Sequence, residues 1–434
     1  MRKECLGSLT ALLAGAGLSL AQPAPTVLAS PAPTVRTAGA STTLPLDLPP
    51  VAGASGGAHD DPGVFPFSGS GVCETPGAAG DLPPYIEPAP QDAAGKGKEC
   101  DKPRCHVWAS GEPLLWWVRP GRTPPLVTAA GDGSLDYAML VGGRVAAGFV
   151  NATGELGIEA GGFWLERGTT HFAVGSGPDG SPALGRPIVD ALLGQPQLYP
   201  VSAPGALAGA LSASSSSQLW GAETNVVGSG FGGDCFAIDL LGGVRYVGLD
   251  ESLTVVQTGN SLAGAGSFTI GDSFRTRNEF VGGQVGSQVE MRFGRLYTNL
   301  LGKVAVGNVH QVVDVLGNTV TTGPAGTLAQ PGGFLAVGSN AGRQTHDEVG
   351  VLPEVNFNVG YQVRPYLRLY AGYTFLYLSD VARPGDQVNT TVNTALVPTS
   401  PTFGTPGGGA LPGPLFTHTD YWAQGVNIGV ALRY

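Results

Sequence analysis

A hydrolytic site needs a nucleophile and a base held together, and histidine is the usual base near neutral pH. The candidates in this chain are His171, His310, His346 and His418, which fall at strand ends or in connections, with no spacing that sets two of them against a serine and an acid. No HExxH, phosphate-cradling glycine loop or EF-hand pattern occurs, and Cys105 beside His106 lacks the ligand spacing of a zinc site. Hydrolysis is therefore the weakest functional reading, and neither a metal nor a cofactor is expected.

Charged residues are more informative. Glu155, Glu159, Asp239, Glu290 and Glu354, with Arg245, Arg292 and Arg368, alternate with apolar neighbours, so in extended chain they share the face opposite the apolar one. In a sheet with lipid on its other side, such a set either lines water or pairs internally and plugs the space.

The elements that would position these residues are ten long strands, at 107–118, 142–151, 154–167, 219–227, 235–258, 276–293, 296–316, 347–363, 367–380 and 421–434. Their connections sort by parity. Long intervals follow odd-numbered strands (119–141, 168–218, 259–275, 317–346, 381–420), and short ones follow even-numbered strands (152–153, 228–234, 294–295, 364–366). That asymmetry belongs to an outer-membrane barrel with short periplasmic turns and long extracellular loops. The faces agree: Val355, Phe357, Val359 and Tyr361 oppose Glu354, Asn356, Asn358 and Gly360, and Leu156, Ile158 and Trp164 oppose Glu155, Glu159 and Phe163. A soluble sandwich would carry charge on its outward face, and these strands do not. The expected fold is all-β, a transmembrane antiparallel barrel of about ten strands, with twelve as the alternative.

Composition fits this fold. Of 434 residues, 69 are Gly and 35 Pro, and only 13% are charged, against about a quarter in average usage. A net charge of -10 with 23 basic residues leaves no footprint for nucleic acid. Arg2 and Lys3 precede an apolar stretch that ends in Ser19 and Ala21, so residues 1–21 read as an export signal. Residues 22–105 read as a Pro/Ala/Gly-rich periplasmic leader, largely disordered, and 106–434 as the barrel. Cys73, Cys100, Cys105 and Cys235 allow one or two disulfides, Cys100 to Cys105 being the most local pairing. The expected location is the cell outer membrane, with lipid and the barrel assembly machinery as partners and extracellular ligands of the long loops as further candidates.

Trp108, Trp116, Trp117, Trp164, Trp220 and Trp422 lie near predicted strand ends, where interfacial girdles form. Trp116 and Trp117 are adjacent and must point opposite ways, so at least one enters the lumen or meets a loop. The last strand, YWAQGVNIGVALRY, should pair with 107–118 and close the ring. It would place Tyr434 at the periplasmic rim in the lipid-facing register, as an assembly signal.

A ten-stranded interior is narrow, and Phe163, Phe280 and Tyr370 on the inner set argue that it is filled. A non-enzymatic structural or cell-surface interaction role comes first, and a narrow passive pore for small solutes second.

Several segments also carry a resemblance. LLWWV at 114–118, LWGAETN at 219–225, IDLLGGVRYVGLDESL at 238–253, GRLYTNLLGKVAVGNVHQ at 294–311, the stretch from VLPEVNFNVGYQ to SDVARPGDQVN at 351–389, and the final YWAQGVNIGVALRY resemble the BBP7 family of outer-membrane β-barrel proteins from planctomycetes. The resemblance covers nearly everything from about 106 to 434. It implies an outer-membrane barrel of undefined biochemical activity and supplies no catalytic or ligand-binding residues.

Overall fold

A computed structural model describes residues 105–128, 133–233, 235–264 and 266–434. The signal expected at 1–21 and nearly all of the leader expected at 22–105 lie outside these residues.

Alternation of residue type becomes alternation of exposure. The ten long strands are β1 (His106–Val118), β2 (Leu140–Val150), β3 (Leu156–Leu165), β4 (Leu207–Gly232), β5 (Phe236–Ser261), β6 (Ser267–Phe293), β7 (Leu296–Gly323), β8 (Gly342–Arg364), β9 (Leu367–Ala382) and β10 (His418–Arg433). Along β8, Val355, Phe357 and Val359 are exposed, while Glu354 and Asn356, which alternate with them, are buried. The same reading holds for Val281 and Val285 against Phe280 and Gln284 on β6, and for Val426 and Ile428 against Asn427 on β10. Buried charge and exposed valine invert the usual soluble order.

Each long strand pairs antiparallel with its neighbours in sequence, from β1–β2 through to β9–β10. β10 pairs in turn with β1, from Trp108 opposite Arg433 to Val118 opposite Ala423, so the pairings run in a cycle. Val107 and Tyr434 exchange both backbone hydrogen bonds at that seam, at 2.9 and 2.7 Å. Pro113 interrupts the β1–β10 ladder without shifting it: Gly111 faces Val430 and Leu114 faces Asn427, in one register.

Glycine has a specific use in this sheet. Trp108, Phe163, Tyr297 and Tyr370 each lie directly across a strand pair from Gly148, Gly221, Gly360 and Gly429. A Cβ at those glycines would stand 2.2–2.7 Å from the facing ring, so large aromatics lie flat against the inner wall only where the partner has no side chain. Trp164 over Gly143 and Trp220 over Gly248 repeat the device on the outer face.

β4 to β7 exceed their expected lengths, mainly at the end away from the short turns. They run 26 to 28 residues, and the stretch expected as a loop at 259–275 is mostly hairpin, with Ser261 bonded to Gly266 at its tip. The serine run of 212–217 lies inside β4, paired with β5 and with Gly168–Gly175. The long connections are thus folded rather than loose. Leu184–Asp190 and Gln195–Ser202 pair antiparallel, and Thr391–Val392 joins the first of them in parallel, which brings the β3–β4 and β9–β10 connections into one small sheet. The Ser, Pro and Gly content of these segments predicts loops, whereas tertiary hydrogen bonding makes much of them strand. The parity of long and short connections stands, apart from the shortened β5–β6 tip.

Two tryptophans depart from the expected girdle. Trp116 is fully buried and Trp108 faces inward, while Trp117, Trp164 and Trp220 are exposed on the outside. Tyr246 stacks on Trp220, ring centroids 4.8 Å apart. Toward the short turns the outer face carries a second aromatic set, Phe149, Phe231, Phe236, Phe293 and Tyr361. The local disulfide does not form: Cys105 has a free thiol, and Cys235 is disulfide-bonded.

Candidate functional site

The inner face of β5 crosses every layer of the interior. From the short-turn end it presents Asp239, Leu241, Arg245, Val247, Leu249, Glu251, Leu253, Val255 and Gln257, so polar and apolar levels alternate along the axis.

At the short-turn end lies a vestibule of about 440 Å³, whose lining includes Glu155, Glu159, Asp239, Glu290, Arg292 and Arg368. Glu290 receives Arg292 at 2.6 Å and Arg368 at 2.9 Å, and the Arg368 guanidinium sits 4.7 Å from the centre of the Tyr297 ring. Glu155 and Asp239 stay at the mouth with hydroxyl partners, Thr153 and Ser229. They join no ion pair among the described residues. Glu159 accepts from Asn225 at 3.0 Å.

Above the vestibule the charges cross the interior. Arg245 of β5 pairs with Glu354 of β8 on the far wall. Arg144 of β2 reaches Glu112 at 3.2 Å and Glu354 at 3.3 Å. Lys303 of β7 donates to both oxygens of Glu223 on β4, at 2.6 and 2.8 Å, and lies 3.6 Å from Glu354. Three carboxylates thus face three cations, and the level is formally neutral. Asn427 extends it to the seam, donating to Glu112 at 2.7 Å. Removing one partner from a buried set of this kind costs about 3–5 kcal/mol, because the others are left charged and unpaired.

Of the residues expected from sequence, Arg245 and Glu354 lie in this level, Glu290, Arg292 and Arg368 form a separate triad, and Glu155, Glu159 and Asp239 stand apart from both. Glu112, Arg144, Glu223 and Lys303 were missed. The signal for them was present, since each sits on the inner parity of its strand: Lys303 between Gly302 and Val304, Arg144 beside Val145.

The next level is apolar. Leu140, Leu114, Trp116, Phe163, Leu219, Val247, Phe280, Ala305, Leu352, Leu376 and Tyr421 are all buried in one cluster, to which each of the ten strands contributes. Trp116 and Phe163 meet with ring centroids 5.7 Å apart. Tyr137 of the β1–β2 connection joins the same cluster.

A polar clamp follows. Arg383, just after β9, forms two hydrogen bonds to Glu251 at 2.9 and 2.8 Å and donates to the carbonyls of Pro120 and Arg119 at 2.8 and 3.1 Å. Tyr137, in the β1–β2 connection, bonds Ser215 at 2.7 Å. Burial, with the Glu251 carboxylate second, pushes this phenol up to about 12, so it stays neutral. Beyond the clamp a second apolar cluster joins Leu253, Val255, Ile270 and Phe274 of the strands to Ile188, Val201, Phe334 and Val392 of the connections. Asp272 Oδ1 accepts three successive backbone N–H groups, from Phe334, Leu335 and Ala336, at 2.8–2.9 Å, and Arg186 lies 3.5 Å from the same carboxylate. Burial pushes the Arg186 guanidinium down, and Asp272 partly offsets that shift.

A family described as "Putative beta barrel porin-7 (BBP7)" matches residues 108–434. No curated protein matches the chain. Among solved structures it is similar to the outer membrane protease OmpT from Escherichia coli, at 12% identity and a TM-score of 0.36 over 76% of this chain and 97% of that one. It is also similar to a Pseudomonas aeruginosa FadL homologue (8% identity, TM-score 0.24, 77% and 90% of the two chains). The Pseudomonas putida toluene transporter TodX is a third (9% identity, TM-score 0.21, 76% and 89%).

Proposed function

From the premise that this chain belongs to the BBP7 family of beta barrel porins, we propose that it is a closed transmembrane β-barrel of the outer membrane. In this reading its short-turn vestibule is periplasmic and its folded cap extracellular. The role is structural or in cell-surface interaction rather than enzymatic. The belt of exposed Val, Leu, Ile and Phe supports the membrane assignment, since an apolar surface of that extent is otherwise unstable in water. From Phe236 to Tyr246 the outer face of β5 runs ten residues between the two aromatic sets, about 33 Å along the strand and, at a tilt of about 40°, about 25 Å across the bilayer. β4 to β7 are more than twice the roughly 9–11 residues that a span requires, so their far halves project as the cap, which is the surface offered to extracellular ligands.

The observation that carries the closed reading is the apolar level built from all ten strands, with Trp116, Phe280 and Leu352 fully buried. A level of this composition opposes the passage of water and ions. Purified protein in planar bilayers is expected to be silent; reproducible unit conductance would overturn this reading. The family description and the 440 Å³ vestibule favour one other reading, a narrow passive pore. The pair Trp116→Ala and Phe280→Ala separates the two, because opening the apolar level should create conductance in a protein that lacked it, whereas a native pore conducts without the change.

The assembly machinery is the proposed partner at the seam. The Tyr434 side chain is exposed on the outer face while its backbone completes the pairing with Val107. Deletion of residues 430–434 is expected to block membrane insertion; normal insertion would refute that role.

A further inference from the structure

His346 and Glu348 stand two apart on β8 and so share one face, and His418 is the first residue of β10. β8 pairs with β9 only from Glu354 onward, whereas β9 stays with β10 as far as Ala382 opposite His418. Where β8 parts from β9, the chain brings two imidazoles and a carboxylate together: one donor atom from each of His346, Glu348 and His418 lies within 4.8 Å of the other two. His346 Nε2 is 2.9 Å from Glu348 Oε1. Phe416 forms one wall, with its ring centroid 5.3 Å from His346 and 5.6 Å from His418.

We propose that this cluster is a binding site for a divalent transition ion of the zinc class. Two neutral imidazoles and one carboxylate are the donor set of three-ligand zinc sites that keep a fourth position open, and nitrogen donors select such ions over magnesium or calcium. With bonds of about 2.0–2.2 Å, tetrahedral donors sit about 3.3–3.6 Å apart, between the 2.9 Å of the present pair and the 4.8 Å limit of the set. A second observation points the same way: Nδ1 of His418 is buried and has no hydrogen-bond partner, so protein contacts leave this nitrogen unused. Side chains of His346 and Glu348 are about half exposed, which leaves room for entry and for a water or an external donor. Binding would displace the proton shared between His346 and Glu348 and staple β8 to the end of the β9–β10 connection.

The test is calorimetric titration of the detergent-folded protein with Zn²⁺, together with the visible absorption of Co²⁺ as a report of tetrahedral coordination. One saturable equivalent is expected. His346→Ala, His418→Ala and Glu348→Gln should each weaken it by about tenfold or more, with the heat-modifiable gel shift unchanged as the control for folding. His310→Ala should leave binding intact, since His310 pairs with Asp347, whose side chain alternates to the other face of β8. Absence of saturable binding, or full binding retained by His418→Ala, would overturn the proposal.

Discussion

The vestibule and the cap are built from the same strands, yet they treat charge in opposite ways. At the vestibule the charged groups belong to the wall itself: Glu290, Arg292 and Arg368 come from β6 and β9 and stay partly wet. At the cap the charges join the wall to the connections. Glu251 of β5 holds Arg383, and Asp272 of β6 holds the backbone of 334–336 and Arg186. A carboxylate on a rigid strand is a fixed anchor, and a connection that satisfies it stops behaving as a loop. Exposure sets the worth of each pair: a half-solvated ion pair contributes about 0–1 kcal/mol, whereas leaving one buried charge alone costs several.

That contrast can be broken in graded steps. Glu354→Gln, in the level between the two regions, leaves Arg144, Arg245 and Lys303 facing two carboxylates, and it should cost about 3–5 kcal/mol, read as a lowered urea midpoint of the detergent-folded barrel. Glu251→Gln should cost a similar amount, about 3–5 kcal/mol, because it leaves the buried Arg383 guanidinium with only carbonyl partners. Its signature is local, with faster proteolysis within 383–417 while the heat-modifiable band persists. Arg292→Gln in the vestibule should shift the midpoint by no more than about 1 kcal/mol; a loss as large as that of Glu251→Gln would show that the vestibule is as tightly coupled as the cap.

How much of this is written in the sequence follows the same division. Period-two alternation is a local property, so the ten strands, their order and the inner set from Glu155 to Arg368 can be read residue by residue. Arg144 and Lys303 could have been read in the same way. The cap could not. Arg186 meets Asp272 across 86 positions and Arg383 meets Glu251 across 132, and no local pattern marks either pair. Serine-rich and proline-rich segments such as 195–218 have loop composition but strand hydrogen bonding, because tertiary partners override weak β propensity. The convergence of His346 with His418 was likewise hidden, since it arises from the divergence of two strands rather than from spacing.

The β1–β10 seam carries a consequence for how the molecule comes into being. Five strand pairings are hairpins closed by short turns and form locally, at little cost in loop entropy. The pairing of Val107 with Tyr434 joins positions more than three hundred residues apart. Folding should therefore be governed by one late, long-range closure, and until it occurs two unpaired strand edges remain open to any other chain that can add to them.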